Sequence, residues 1–328
     1  MADLLIHHAA LNRLHDRLPD AEGLRTVAMS ETGTFLDPSG APVTDVAPEF
    51  AYGSTDVWFD PQAQTFVKAV LETPRLAWFQ AVAAGIEHPV LAAIGRKAEI
   101  YCTCHVQAEA IAEWAVWAAL DALRNGPTHR ANQAAGAWVR QTSREIAGSR
   151  WLVVGFGAIG QAVGRRVQAL GGHVTGVRRS GGSAPGADTM LTALTAEALS
   201  AADVILLSLP HTPETESIAN ADFFAAMAPD SVFLNLGRGA LVDEAALLAG
   251  LDGGRPGWAA LDVVREEPLP ADSPLWRHPR LMITPHDSAA TPGTVARADA
   301  LFLENLQAFL RGRPLRHVAD RSLFDPAI

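Results

Sequence analysis

The stretch Trp151-Leu152-Val153-Val154-Gly155-Phe156-Gly157-Ala158-Ile159-Gly160 decides the reading of this chain. Three glycines at 155, 157 and 160 have the spacing G-x-G-x-x-G, which is a weak signal by itself. Here an apolar strand at 151–154 precedes it, and Ile159, Val163, Val167 and Leu170 follow on one face of a helix over 158–170. In that context each glycine has a distinct role, with Gly155 making the tight turn, Gly157 allowing close approach of a pyrophosphate, and Gly160 packing the helix on its strand. The helix start, with Ala158 and Ile159, then offers backbone N–H groups and a dipole to an anion. The turn reads as a dinucleotide-binding site.

The next strand, 173–177, ends at Arg178-Arg179-Ser180. A carboxylate near this position accepts from the 2′-hydroxyl of NAD, whereas guanidinium groups pair with a 2′-phosphate. The sequence therefore favours NADP(H), with NAD(H) as the alternative. Further strands are expected at 203–207, 231–234, 258–263 and 281–284, with short helices at 221–227 and 243–251, the latter capped by Asp243.

Upstream, β-like runs at 4–7, 24–29, 49–52, 76–82 and 99–102 alternate with a helical pattern at 61–71, and 33–48 reads as a loop or small hairpin. A long helix over about 105–123, apolar on most faces, stops at Asn125-Gly126-Pro127. Residues 127–150 look irregular, with Trp138 alone among polar neighbours. The last helix opens at Thr291-Pro292, stops at Gly312 and buries one face, so it can return to the first domain. This predicts an α/β chain with a split first domain, 1–104 plus 291–328, and an inserted dinucleotide-binding domain, 105–290.

Composition narrows the function classes. The 328 residues are 48% hydrophobic and 19% charged, ordinary for a globular chain. A formal charge of −10 disfavours nucleic acid and anionic membranes as partners. No apolar run reaches the ~20 residues of a membrane span, and no leader is evident, so a cytoplasmic location is expected. Lys68 and Lys97 are the only lysines, and neither lies in a P-loop or Schiff-base motif. Cys102, Cys104 and His105 read as buried thiols at a strand end rather than as a metal site.

Three segments follow expected strands: Asn235-Leu236-Gly237-Arg238-Gly239, Asp262 through Glu267-Pro268, and Thr284-Pro285-His286. The C-terminal edge of a parallel sheet is where ligands bind, so Arg238, Glu267 and His286 are candidates for one cleft. Taken singly, each has a plainer reading as a turn cap, a solvated acid or an idle histidine.

Together, GFGAIG, NLGRG, LDVVREEPLP and TPH resemble the D-isomer-specific 2-hydroxyacid dehydrogenase family, and especially its glyoxylate/hydroxypyruvate reductase branch. The resemblance implies two Rossmann-like, doubly wound parallel-sheet domains, the cofactor domain inserted into the substrate domain. It implies reduction of a 2-keto acid to the D-2-hydroxy acid. Arg238 would hold the substrate carboxylate and keto oxygen, His286 would be the acid/base, and Glu267 would pair with His286. Asp262 matches the aspartate that contacts the nicotinamide carboxamide, and Pro210 falls among the cofactor-binding positions. Ala83-Ala84-Gly85-Ile86-Glu87 looks like the loop whose backbone binds the carboxylate, though members often carry Ser-x-Gly-Val-Asp there. Ala84, Gly85 and Ser54 are thus the substrate-side candidates from the first domain. The resemblance also implies a homodimer through the cofactor domain, with Trp138 either reaching a partner's site or packing at the dimer surface. Phosphite or phosphoglycerate oxidation on the same scaffold, and a dinucleotide-sensing corepressor, are the competing readings.

Overall fold

In the computed structural model, residues 2–86 and 88–324 are described. The strands in chain order are β1 (Ala2–His7), β2 (Leu24–Met29), β3 (Phe35–Leu36), β4 (Pro48–Gly53), β5 (Trp78–Ala81), β6 (Ile100–Cys102), β7 (Arg150–Val154), β8 (His173–Val177), β9 (Thr189–Leu191), β10 (Val204–Leu207), β11 (Val232–Asn235), β12 (Trp258–Leu261) and β13 (Leu281–Ile283). The helices are α1 (His8–Leu14), α2 (Thr55–Phe59), α3 (Ala63–Glu72), α4 (Pro89–Lys97), α5 (Ala108–Leu123), α6 (Gly126–Ala134), α7 (Ala158–Ala169), α8 (Ala196–Ala201), α9 (Ala221–Ala226), α10 (Glu244–Asp252) and α11 (Pro292–Leu310).

The chain divides into two units, Met1–Val106 with Pro292–Ile328, and Gln107–Thr291. In the first, the strand order is β3-β2-β1-β4-β5-β6, parallel except for the short β3. Val27, Phe66, Val70, Phe79 and Ile94 fill one face of that sheet. Leu4, Ile6, Trp78, Phe302 and Leu306 fill the other, where Phe302 stacks on Tyr52 at 4.2 Å. Helix α11 supplies Phe302 and Leu306 to this face. Residues 317–319 run antiparallel to β6, with the Thr103 N–H donating to the His317 carbonyl and the Ala319 N–H to that of Tyr101.

The second unit holds a fully parallel seven-stranded sheet, β9-β8-β7-β10-β11-β12-β13. Its central strands β10 and β11 are buried on both faces, so they read as continuous apolar runs such as Val204–Leu207. The chain runs outward from β7 to β9 and then returns to β10 on the other side of β7. The order reverses there, and the crevice beyond the strand ends at such a point is where ligands bind. Asp243 caps α10 by accepting from the Ala246 N–H at 3.0 Å.

Two expectations change. Residues 127–150 are not wholly irregular, because α6 occupies 126–134. Gly126-Pro127 ends α5 and also begins α6, since proline suits the first helical turn, where its missing N–H costs nothing. Helix α5 is also less enclosed than its composition suggests: Ala112, Ala115, Ala118 and Ala119 are buried, but Trp117 and Leu120 lie at the surface. Among the described residues no helix is long and apolar enough to cross a membrane.

Candidate active site

The glycine turn sits where the strand order reverses. Gly155 has φ +97, and a Cβ there would lie 2.7 Å from the carbonyl of Ser208, just beyond β10. Ser208 in turn donates its hydroxyl to the Gly155 carbonyl at 2.7 Å, so the loops after β7 and β10 are bonded to each other. A Cβ at Gly160 would sit 2.7 Å from the Gly155 carbonyl and 3.1 Å from Val153, which is the helix-on-strand contact expected of it. Around Gly157 a Cβ would meet nothing within 4 Å. Gly157 and Ala158 are exposed, and no side chain caps α7. The turn therefore keeps clear space in front of a helix N-terminus, which fits a pyrophosphate.

At the end of β8, Arg178 is half-buried and its guanidinium donates to the Gly181 carbonyl from Nε at 3.2 Å and Nη2 at 2.6 Å. Arg179 and Ser180 are exposed beside it, and Pro210 is exposed at the end of β10. The cationic pair thus lies on the same sheet edge as the glycine turn.

Farther along that edge, the carboxylate of Glu267 is held at both oxygens. Oε1 accepts from the Val264 N–H at 3.2 Å, and Oε2 lies 2.8 Å from His286 Nδ1. With Nδ1–H donated to the carboxylate, Nε2 is the nitrogen left to exchange a proton. His286 has φ 55, a left-handed conformation that costs a non-glycine residue about 1–3 kcal/mol. Its N–H donates to the carbonyls of Asp262 at 2.8 Å and Thr284 at 3.0 Å.

Arg238 follows β11. Asn235 fixes its loop by donating Nδ2 to the Arg238 carbonyl at 3.0 Å and accepting from the Gly237 N–H at 3.1 Å. The guanidinium donates to the Gly237 carbonyl at 2.8 Å. A Cβ at Gly239 would collide with the Val264 carbonyl, so the loop bearing Arg238 packs directly on the one leading to Glu267.

Asp262 is 2% exposed and its carboxylate accepts from Thr284, Asp287 and Ser288. These donors, and the structural work of Asn235 and Ser208, were not foreseen from sequence. Asn235 heads its motif and was visible there, whereas Ser288 carries no local signal.

In the other unit, Ala84 and Gly85 lie in the irregular segment after β5, and Glu87 lies outside the described residues. Ser54 is the other substrate-side candidate of this unit. It is fully buried, and its hydroxyl donates to Asp56 at 2.9 Å. That carboxylate also takes a bidentate pair from Arg13, and although burial raises the Asp56 pKa, these bonds hold it below the ordinary range. Cys102 and Cys104 are free and buried, and burial pushes the Cys102 thiol up to about 11. Trp138 is 97% exposed, in the segment after α6.

The profile of the family described as "D-isomer specific 2-hydroxyacid dehydrogenase, NAD binding domain" matches residues 116–288, just over half of the chain. Glyoxylate/hydroxypyruvate reductase A of Salmonella typhi is 36% identical over 171 residues, 52% of this chain and 54% of that protein. The chain thus spans about half the length of the curated relatives it matches. A D-isomer specific 2-hydroxyacid dehydrogenase family protein of Aeromonas salmonicida superposes with a TM-score of 0.79 at 28% identity, covering 99% of both chains. A probable 2-hydroxyacid dehydrogenase of Rhizobium etli, solved with NADP, HEPES and L(+)-tartaric acid, gives 0.71 at 25% identity over 99% of both.

Two glycine variants separate cradle from scaffold. Gly157→Ala enters open space, so thermal stability should stay within about 0.5 kcal/mol while dinucleotide affinity falls about tenfold or more. Gly160→Ala pushes on the Gly155 backbone and should cost about 1–3 kcal/mol of stability. Denaturation curves and a nucleotide fluorescence titration check both; equal stability losses would contradict the assignment.

Proposed function

Because the chain belongs to the D-isomer-specific 2-hydroxyacid dehydrogenase family, we propose that it reduces a 2-keto acid of the glyoxylate/hydroxypyruvate class to the D-2-hydroxy acid. The observation that carries this reading is the Glu267–His286 pair, 2.8 Å apart on the sheet edge that also bears the dinucleotide turn.

Reducing a keto group requires a hydride on carbon and a proton on the oxygen. NADPH, when bound, supplies the hydride. His286 delivers the proton from Nε2, and Glu267 stabilises the imidazolium and keeps Nδ1 protonated, so the ring presents one face in both charge states. Arg238 matches the substrate carboxylate in a forked geometry and offsets the charge growing on the keto oxygen. Asn235 and Gly239 hold it there by fixing its loop. The Gly155–Gly160 turn, with Ala158 and Ile159, receives the pyrophosphate.

The preference for NADP(H) over NAD(H) rests on Arg178 and Arg179. The residues that directly follow β8 are Arg178, Arg179 and Ser180, and guanidinium groups suit a 2′-phosphate better than a 2′-hydroxyl. The Rhizobium etli relative, solved with NADP, is consistent with this choice. The second unit also leaves Trp117, Leu120 and Trp138 at its surface, apolar area that supports the homodimer reading.

His286→Ala should lower kcat for glyoxylate reduction by at least about a hundredfold and leave NADPH affinity nearly unchanged, because the proton is used only in the transition state. Near-normal turnover would end this mechanism. Arg178→Asp should shift the ratio of kcat/KM for NADPH over NADH toward NADH by about tenfold or more, and an unchanged ratio would remove the arginine pair from cofactor choice. In sedimentation velocity the chain should run as a dimer, whereas Trp117→Glu should raise the monomer fraction; a monomeric parent at micromolar concentration would refute the dimer.

A further inference from the structure

His286 sits in a backbone conformation that it does not favour, and its own side-chain bond to Glu267 is open to solvent at both ends. Something else must hold the turn. The hydrogen bonds of residues 284–288 converge on one residue, Asp262. Its backbone carbonyl accepts from the His286 N–H at 2.8 Å. Its Oδ1 accepts from Thr284 Oγ1 at 2.6 Å, from the Asp287 N–H at 3.1 Å and from the Ser288 N–H at 3.2 Å. Its Oδ2 accepts from the Ser288 hydroxyl and, at 3.3 Å, from the Ser288 N–H.

An ionised carboxylate offers about four lone-pair sites. Here donors from this single turn take them, in a place where Asp262 is 2% and Ser288 9% exposed. A buried charge left short of donors is costly, so the carboxylate and the turn hold each other in one arrangement. We propose that Ser288, together with Thr284, is a positioning residue: its hydroxyl commits Asp262 to the 284–288 turn and so fixes the imidazole of His286 against Glu267. Asp262 acts through His286 in this arrangement, whereas the family resemblance implies a contact with the nicotinamide carboxamide.

The geometry explains why a hydroxyl is needed at 288. The backbone N–H groups of Asp287 and Ser288 reach Oδ1 and one side of Oδ2, and among the described residues the Ser288 hydroxyl alone closes the remaining side. Without it Oδ2 is left short of a donor inside the fold, the carboxylate shifts, the bond from Thr284 loosens, and the backbone of His286 is free to leave the left-handed region. The imidazole would then lose its alignment, and small misplacements of a reacting group lower rates steeply.

This proposal rests on the reading of His286 as proton donor, so its test carries a readout that needs no substrate. Hydrogen–deuterium exchange of the full chain follows the amides of 286–288, and steady-state rates with glyoxylate and NADPH and a fluorescence titration with NADPH accompany it. Ser288→Ala and Thr284→Val should each speed exchange in that turn about tenfold, lower kcat about ten- to hundredfold, and leave KM and the NADPH Kd within about twofold. Thr284→Ser keeps the hydroxyl and should restore both exchange and kcat, which decides the matter even if Ser288→Ala folds poorly. Unchanged exchange, or weaker NADPH binding at constant kcat, overturns the proposal. Full activity of His286→Ala overturns the proton-donor reading instead, whatever the exchange shows.

Discussion

The second unit is organised around the bond between two loops at the reversal of its strand order. Gly155 accepts the Ser208 hydroxyl and lies so close to its backbone that no side chain fits between them. That contact is what allows the turn after β7 to bend sharply, start α7 immediately and leave clear space at Gly157. A larger residue at 155 would push β7 and β10 apart at their ends, and the helix dipole would no longer point at the crevice. The parallel order then does the rest, since β10 through β13 present their C-terminal ends in sequence along the same edge. Arg238, Glu267 and His286 need no special coordination between distant parts of the chain; each is the next loop along.

Within that frame, the proposed chemistry draws on groups held in place by neighbouring backbone. Glu267 is tied to the Val264 backbone as well as to His286, and the Arg238 guanidinium donates to the Gly237 carbonyl. Such preorganisation lowers the cost of aligning charge during reaction. The near absence of lysine is consistent with this. A guanidinium stays charged at any working pH and presents a rigid fork, so both the expected carboxylate and the expected 2′-phosphate meet a planar partner.

Much of this was legible from local pattern. The glycine turn could be read because its demands are backbone demands, and α11 because its apolar residues recur at helical spacing. Helix α6 was missed because Gly126-Pro127 signals an end and a beginning at once. The three-residue β9 is too short to show a periodicity. Ser54 illustrates a different limit. A serine just after a strand looks available to a ligand, but Arg13, 43 residues before Asp56, draws that carboxylate into a buried network, and the hydroxyl turns inward with it. Ser288 is the converse case, 26 residues from the aspartate that gives it meaning. Neither relation leaves a trace in neighbouring residues, so neither can be read without the fold.

The pairing of residues 317–319 with β6 has a consequence for the chain as a material. An open parallel sheet ends in two strands with one row of unpaired N–H and carbonyl groups each, and such rows recruit other chains. On one side the first unit limits this with β3, only two residues long and antiparallel. On the other, the segment after α11 lies down against β6 and occupies its outer row. The pairing at 317–319 is therefore a lid on a template, taking up the groups of β6 that another strand would otherwise meet.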